Sequence, residues 1–401
     1  MIKSKRLVPT LRVGTHRRDA SRPKWTCKML GVCRSFSPGV HAGIKMAYFP
    51  LRCSPGVDAG AKRVFALLLS LLFLAATAHA AEKNVEPSAA ELITPAAQRS
   101  IDRGLKWLAA GQHDDGSFGD GQYRGNTAVC ALAGMAMISS GSTPGRGPYG
   151  DRLQRCVDYL LGCVQPSGFI SGGDSARGPM YGHGFATMFL AECHGMSPRD
   201  DLREKLTKAV KIIVDSQNEQ GGWRYQPVRA EADVSVTACE VMALRAARNA
   251  GLFVPNETID RSIEFVKRSQ NADGGFAYML QGPRESAFPR SAAAVVALFS
   301  AGVYEGPEID KGVEYLMRFM PGKDAARRET YYFYGQYYAV QAMWIAGGDC
   351  WNRWYRAVRD ELIARQRADG AWVSTNGNQY ATAMACIVLQ VPNNYLPIFQ
   401  R

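Results

Sequence analysis

The stretch Ser269 to Phe276, Ser-Gln-Asn-Ala-Asp-Gly-Gly-Phe, constrains the chain most, because the chain repeats it. Ser216 to Trp223 reads Ser-Gln-Asn-Glu-Gln-Gly-Gly-Trp, and Arg365 to Trp372 reads Arg-Gln-Arg-Ala-Asp-Gly-Ala-Trp. Looser copies run from Gly111 to Phe118 and from Val164 to Phe169. Gln112, Gln165, Gln217 and Gln270 stand 52 or 53 residues apart, and the 96 residues from Gln270 to Gln366 leave room for one degenerate copy. A fixed period of this size means an array of one supersecondary unit, each copy burying its apolar face against its neighbours.

Each copy has the same physical logic. An amphipathic helix runs into the Gln, a glycine-containing turn stops it, and an aromatic packs behind. Glycine supplies the positive φ that an abrupt helix stop requires. The carboxamide offers donors and an acceptor to backbone groups left open at a neighbouring helix end. The aromatic lays a large apolar face over the junction. The motif therefore reads as a clasp between successive helix pairs, with no chemistry of its own.

Two kinds of helix alternate around the clasps. Amphipathic segments are predicted over Ala97–Ala110, Arg152–Gly162, Leu202–Ser216, Thr258–Ser269 and Ala357–Gln366, with a sixth marked by Val313, Leu316, Met317 and Met320 at helical spacing. Segments apolar nearly all round are Thr127–Ile138, Phe185–Cys193, Val236–Ala247, Ala292–Val303, Tyr337–Ala346 and Ala381–Val391. A helix without a polar face is enclosed on all sides, so six pairs predict an inner and an outer layer. An open array needs polar terminal faces, whereas the last inner segment is as apolar as the middle ones. The expectation is an all-α chain folded as an α/α toroid of six helical hairpins, over residues 95–401.

Charge and cysteines narrow the class further. The net charge of +12 lies entirely within residues 1–63, and the remaining 338 residues hold 34 basic and 34 acidic side chains. No basic face is implied for the folded body, which argues against nucleic-acid binding. Lys62 and Arg63 precede an apolar run and then Thr77-Ala78-His79-Ala80, the pattern of a signal peptide over 62–80. The run of about 15 residues is short of a bilayer span, so export without a stable membrane span is expected. Residues 1–61 read as an unstructured leader or a start placed too far upstream, with Met46 as one true start, and 81–94 as a linker. Seven cysteines follow Ala81; Cys130, Cys193, Cys239 and Cys386 sit in apolar helices and read as small hydrophobes. Cys156 and Cys163, seven apart on one helix face, cannot reach each other. No metal-binding spacing and no cofactor motif is present in the sequence.

The longer loops, between each clasp and the next inner helix, carry the unusual polar residues: Arg224, Arg229, Asp233, Arg284, Arg290, Tyr334 and Asn378, together with His183. In a closed ring the starts of the inner helices converge on one mouth, where a concave ligand site forms. The loop Tyr331 to Tyr338 adds six aromatics there.

The clasp repeat resembles the repeats of the terpenoid cyclase and protein prenyltransferase superfamily, over about residues 95–392. The resemblance implies the toroid, and two chemistries that the residues test. Squalene-type cyclases carry D-x-D-D-T-A at an inner-helix start; here Asp233-Val234-Ser235-Val236-Thr237-Ala238 keeps the first Asp, the Thr and the Ala, but Ser235 replaces the proton-donating carboxyl. Prenyltransferase zinc sites use D-x-C there and a His on the last helix; here Ser235 stands for the Cys, and Asn378-Gln379-Tyr380 contains no His. Tyr181-Gly182-His183-Gly184-Phe185 resembles the segment with which that family contacts prenyl diphosphate, and Arg224 and Arg229 precede Asp233 as its basic contacts do.

Three functions stay open at this point. The first is a ring that binds a small apolar or anionic ligand, or a protein partner, without the usual acid or zinc. The second is an altered terpenoid or prenyl enzyme, with Asp233 and His183 as catalytic candidates and Arg224, Arg229, Arg290, Tyr334 and Tyr380 as ligand contacts. The third is a secreted polysaccharide lyase or hydrolase, with Arg290 or Arg284 as base or charge neutraliser, Asp233 or Glu240 as acid, and Tyr332, Tyr334 and Trp344 stacking on sugars.

Overall fold

Alternating amphipathic and wholly apolar segments build alternating outer and inner helices in a computed structural model that describes residues 89–172, 178–197, 199–322 and 331–400. The chain divides into units 1–74 and 75–401; the leader and the signal-peptide segment lie outside the described residues. The outer helices are α1 (Pro95–Ala110), α3 (Gly150–Gly162), α5 (Asp200–Ser216), α7 (Asn256–Arg268), α9 (Pro307–Met317) and α11 (Gly348–Arg365). The inner helices are α2 (Thr127–Ile138), α4 (Pro179–Cys193), α6 (Val234–Asn249), α8 (Phe288–Ser300), α10 (Tyr332–Ala346) and α12 (Asn378–Gln390). No strand is present among the described residues, only isolated bridges.

Each inner helix packs on the next, and α12 packs back on α2 and α1, so the ring closes. Side chains of the last hairpin seal the joint: Gln379 Nε2 donates to Gly111 O at 2.8 Å, and Gln390 Nε2 donates to Ala136 O at 3.0 Å. This is the expected α/α toroid of six hairpins.

The clasps hold neighbouring outer helices by one repeated arrangement. Gln217 Nε2 donates to Gly221 O at 2.9 Å within its own turn, and to Thr258 O at 2.8 Å in the first turn of α7. Gln112 joins Gly116 O and Arg152 O, and Gln270 joins Gly274 O and Glu308 O, in the same way. Gln366 joins Gly370 O and Ser100 O, which links the last outer helix to the first. The turn glycine is needed twice over at Gly221: its φ is 95°, and a Cβ would overlap the Arg261 carbonyl of the next outer helix. Behind each turn, Trp223 and Trp372 donate their indole N–H groups to Ile213 O and Leu362 O at 2.7 and 2.9 Å.

The degenerate copy also becomes visible. Gly322, with φ 88°, stands midway between Gly274 and Gly370, and its N–H donates to Glu361 Oε2 on α11 at 3.0 Å. An acid from the following outer helix ties this turn by the opposite polarity, accepting from the glycine N–H where the Gln of a full copy donates to carbonyls.

Three expectations need correcting. The stretch Tyr331 to Tyr338 is not a loop: α10 begins at Tyr332, and Tyr337 and Tyr338 are fully buried. The inner segment expected from Phe185 begins at Pro179, because proline is well suited to the first helical turn. The polar linker ends inside the fold, where Leu92 is buried and its carbonyl accepts from Arg359 Nη1 at 2.9 Å. All seven described cysteines are free, and Cys156 is buried with the four expected ones.

Gln217→Ala strands a buried clasp and is expected to cost about 1–3 kcal/mol. The exposed Gln165, whose amide donates to Ser171 Oγ at 2.9 Å, is expected to cost under about 0.5 kcal/mol when changed to Ala. Urea unfolding of the two variants checks this, and equal losses would contradict the clasp.

Candidate functional site

The starts of α4, α6, α10 and α12 converge on one mouth of the ring, as closure requires. Asp233 is the N-cap of α6: its Oδ1 accepts from Ser235 N and Val236 N, both at 2.9 Å. Oδ2 accepts from the Tyr278 hydroxyl at 3.3 Å. The carboxyl is fully buried, and burial pushes its pKa up to about 6, against the two amides, Tyr278 and nearby Arg224. Asn126 performs the same capping on α2, accepting from Ala128 N and Val129 N. The shared task of the two positions is helix capping.

Tyrosines surround this cap. The Tyr225 and Tyr278 hydroxyls meet at 2.6 Å, and the Tyr181 and Tyr225 rings lie 6.3 Å apart. Tyr334 stands beside Ser235 and Asp233, 4.8 Å from the Tyr338 ring, and Tyr380 stands beside Tyr123. Tyr181, Tyr334 and Tyr380 keep some accessible surface although protein surrounds them, as side chains lining a concavity do, and burial raises all three phenols. The mouth is thus a bowl of aromatic faces and hydroxyls over a capped carboxyl.

Deeper, side chains of facing inner helices approach one another. Phe185 on α4 and Tyr337 on the opposite helix α10 meet across the centre at 6.0 Å. At the far end the turn Pro397–Phe399 packs on α6, with Ile398 and Phe399 buried and Phe399 6.2 Å from Tyr337. Glu192 lies there too, its pKa pushed up to about 7 by burial.

The residues singled out from the sequence separate into two groups. Asp233, Tyr334 and Tyr380 come together at the mouth. Arg224 is close to Asp233, pairs with Glu231 and stacks on Tyr225 at 5.4 Å. Arg290 stacks over Tyr278 at 5.9 Å while its guanidinium binds Phe276 O and Glu285 O. Arg229 is turned away: it is exposed and donates to Asp215 O near the end of outer helix α5 at 2.7 Å.

His183 also faces outward. Its Nδ1 accepts from Ile170 N at 3.0 Å, and its Nε2 lies 3.0 Å from Ala209 O on α5, which makes Nε2 the protonated nitrogen. Complete burial lowers its pKa to about 4. The equivalent inner-helix positions bind the backbone behind a clasp in the same way: Thr237 to Trp223 N, Ser291 to Phe276 N, Thr382 to Trp372 N and Cys130 to Phe118 N. His183 occupies a repeat position that secures the fold.

The sequence reading passed over Tyr181, Tyr225 and Tyr278. A signal for two of them was present, since Tyr225 and Tyr278 each follow a clasp aromatic, Trp223 or Phe276, by two residues. Tyr181 had none beyond its place before His183.

Comparisons with known proteins agree with this fold. A family model described as the squalene-hopene cyclase C-terminal domain matches residues 192–331. Lanosterol synthase of Pneumocystis carinii is 23% identical over 306 residues, covering 60% of this chain and 41% of that protein. The chain thus matches about two fifths of that relative's length. The apo structure of a type II terpene cyclase from Scytonema superposes with a TM-score of 0.54 at 15% identity, covering 76% of this chain and 100% of that one. A variant of the same cyclase in complex with geranylgeranyl dihydroxybenzoate gives 0.52 at 15%, with 75% and 98% covered. An alpha-1,6-mannanase variant of Salegentibacter with alpha-1,6-mannotriose gives 0.55 at 8%, with 75% and 99% covered. The chain resembles the terpenoid cyclase superfamily in sequence and in fold.

Between pH 4 and 6 the folded state keeps the Asp233 proton that the unfolded chain releases, so this group lowers stability as pH rises. Asp233→Asn retains the cap and removes the charge. It is expected to match the wild type near pH 4 and to exceed it by up to about 3 kcal/mol above pH 6. Unfolding free energies measured across that window check the sign, and a variant less stable at pH 8 would contradict it.

Proposed function

We propose that this terpenoid cyclase-like toroid binds an isoprenoid-type ligand at its tyrosine-lined mouth, and does so without proton-initiated cyclisation. The observation that carries the reading is the aromatic bowl of Tyr181, Tyr225, Tyr278 and Tyr334 above an apolar inner ring. Such a surface takes a largely apolar chain and orients it with a few hydroxyls. The similar Scytonema cyclase is known with geranylgeranyl dihydroxybenzoate, and a sequence relative is a lanosterol synthase; a long apolar chain with a few oxygens suits this bowl.

The groups on hand argue against turnover by the cyclase route. Ser235 stands where the proton-donating carboxyl is required, and a hydroxyl is far too weak an acid to protonate an alkene. Asp233 has both oxygens engaged, by two amides and a phenol. His183 has both nitrogens engaged by backbone. In this reading Asp233 shapes the floor of the bowl, Arg224 and Arg290 brace its rim tyrosines, and residues 62–80 export the protein.

Thermal unfolding of the full chain tests the proposal. Geranylgeranyl dihydroxybenzoate at 100 times its Kd is expected to stabilise the protein by about 2.7 kcal/mol. Tyr334→Ala and Tyr181→Ala are each expected to weaken that binding about tenfold or more. No cyclised product is expected on prolonged incubation. A melting temperature moved by alpha-1,6-mannotriose and not by the isoprenoid would favour the glycoside-active reading, in which the raised pKa of Asp233 serves an acid.

A further inference from the structure

Below the mouth, the inner ring holds a group that the fold leaves unused. Glu240 lies on α6, five residues beyond Ser235, or about 7.5 Å along the helix axis. It is completely buried, and neither carboxyl oxygen has a hydrogen-bond partner. The carboxyl is set against α4 at Gly184, where an added Cβ would come within 2.9 Å of Oε1 and within 2.8 Å of Cys239 Sγ. A glycine at 184 thus leaves this seam open to the carboxyl. Burial raises its pKa well above the usual carboxylate range, which favours the protonated form that can donate a hydrogen bond.

Glu240 has company. Cys239, next to it on α6, borders the phenols of Tyr334, Tyr337 and Tyr338; Tyr334 stands beside Ser235 and Tyr337 beside Gln341, while the Tyr338 hydroxyl is buried without a partner. Buried polar atoms ordinarily find partners, and each one left without costs about 1–3 kcal/mol. Most comparable groups in this ring obey the rule: Gln390, Gln379, Ser291 and Thr382 all spend their polar atoms on backbone. Among the described inner-helix residues, Thr187 and Glu192 on α4 and Gln336 and Tyr338 on α10 also keep an unpartnered polar atom, and Glu240 is the carboxylate with neither oxygen engaged.

We infer that Glu240 is reserved for the ligand: its carboxyl donates a hydrogen bond to a neutral oxygen on an otherwise apolar molecule that enters by the mouth. An ether, ester, ketone or alcohol oxygen fits a neutral donor in an apolar wall, whereas an anion would have to leave water for a site that offers it no cation. This rests on the reading of the mouth as a ligand site and names the group that selects the ligand's polar end.

The test compares the wild type with Glu240→Gln and Glu240→Met, using geranylgeraniol and, as its oxygen-free counterpart, phytane. Without ligand, Glu240→Met is expected to melt about 2–4 °C higher than the wild type, because a buried group without a partner is removed at similar volume. The same variant is expected to bind geranylgeraniol about tenfold more weakly and phytane unchanged, while Glu240→Gln, still a donor, keeps most of the affinity. In infrared difference spectra at pH 7, the wild type is expected to show a protonated-carboxyl C=O stretch that both variants lack. A Glu240→Met protein less stable than the wild type, an ionised Glu240, or undiminished geranylgeraniol binding by Glu240→Met would each overturn the inference. If the wild type binds neither probe, the mouth proposal falls, while the ligand-free melting comparison still decides whether the fold itself needs Glu240.

Discussion

One side-chain amide bonded to two main-chain carbonyls holds this molecule together. In each full copy the Gln Nε2 satisfies the carbonyl of its own glycine turn and a carbonyl near the start of the next outer helix. The glycine lets the two backbones approach within van der Waals contact, which no larger residue allows. Because the arrangement passes from hairpin to hairpin in one sense, it curves the array, and Gln366 brings it back to Ser100. The inner helices then have no face left for water, and their apolar composition follows from the closure.

Closure also decides where function can sit. Every inner helix begins at the same end of the ring, so its capping residue and first-turn side chains meet those of the others. The bowl of tyrosines is a consequence of that geometry, assembled from residues scattered from Tyr181 to Tyr380. The opposite end is occupied by Ile398 and Phe399, which leaves the mouth as the open approach among the described residues.

Much of the fold was legible in the sequence, since a period of 52 or 53 residues and two helix types force a layered array. The degenerate copy was legible only as a gap, because its turn has no Gln and is tied instead by Glu361 of the following helix, which accepts from Gly322 N–H. Basic partners of the clasp were missed as well: Arg155 and Arg103 donate to the carboxamide oxygens of Gln112 and Gln366 at 2.7 and 2.5 Å. A signal for them was present, since Arg155, Lys208, Arg261 and Lys311 follow Gln112, Gln165, Gln217 and Gln270 by 43, 43, 44 and 41 residues. The site was less legible. Asp233, Tyr334 and Tyr380 were found because they stand at inner-helix starts. The outward turn of His183 was not legible, since its backbone role shows only when Thr237, Ser291, Thr382 and Cys130 are seen in the same position. A side chain's direction on a wholly apolar helix leaves no trace in hydrophobic periodicity.

A double-mutant cycle between Ser100 and Gln366 addresses ring closure most directly. These residues are 266 positions apart, and the Ser100 hydroxyl donates to Gln366 Oε1 at 2.6 Å only if the first and last outer helices are neighbours. Ser100→Ala, Gln366→Ala and the double variant are expected to give a coupling free energy of about 1 kcal/mol. Additivity to within about 0.3 kcal/mol would mean that the two helices do not meet, and that the chain is an open array rather than a ring.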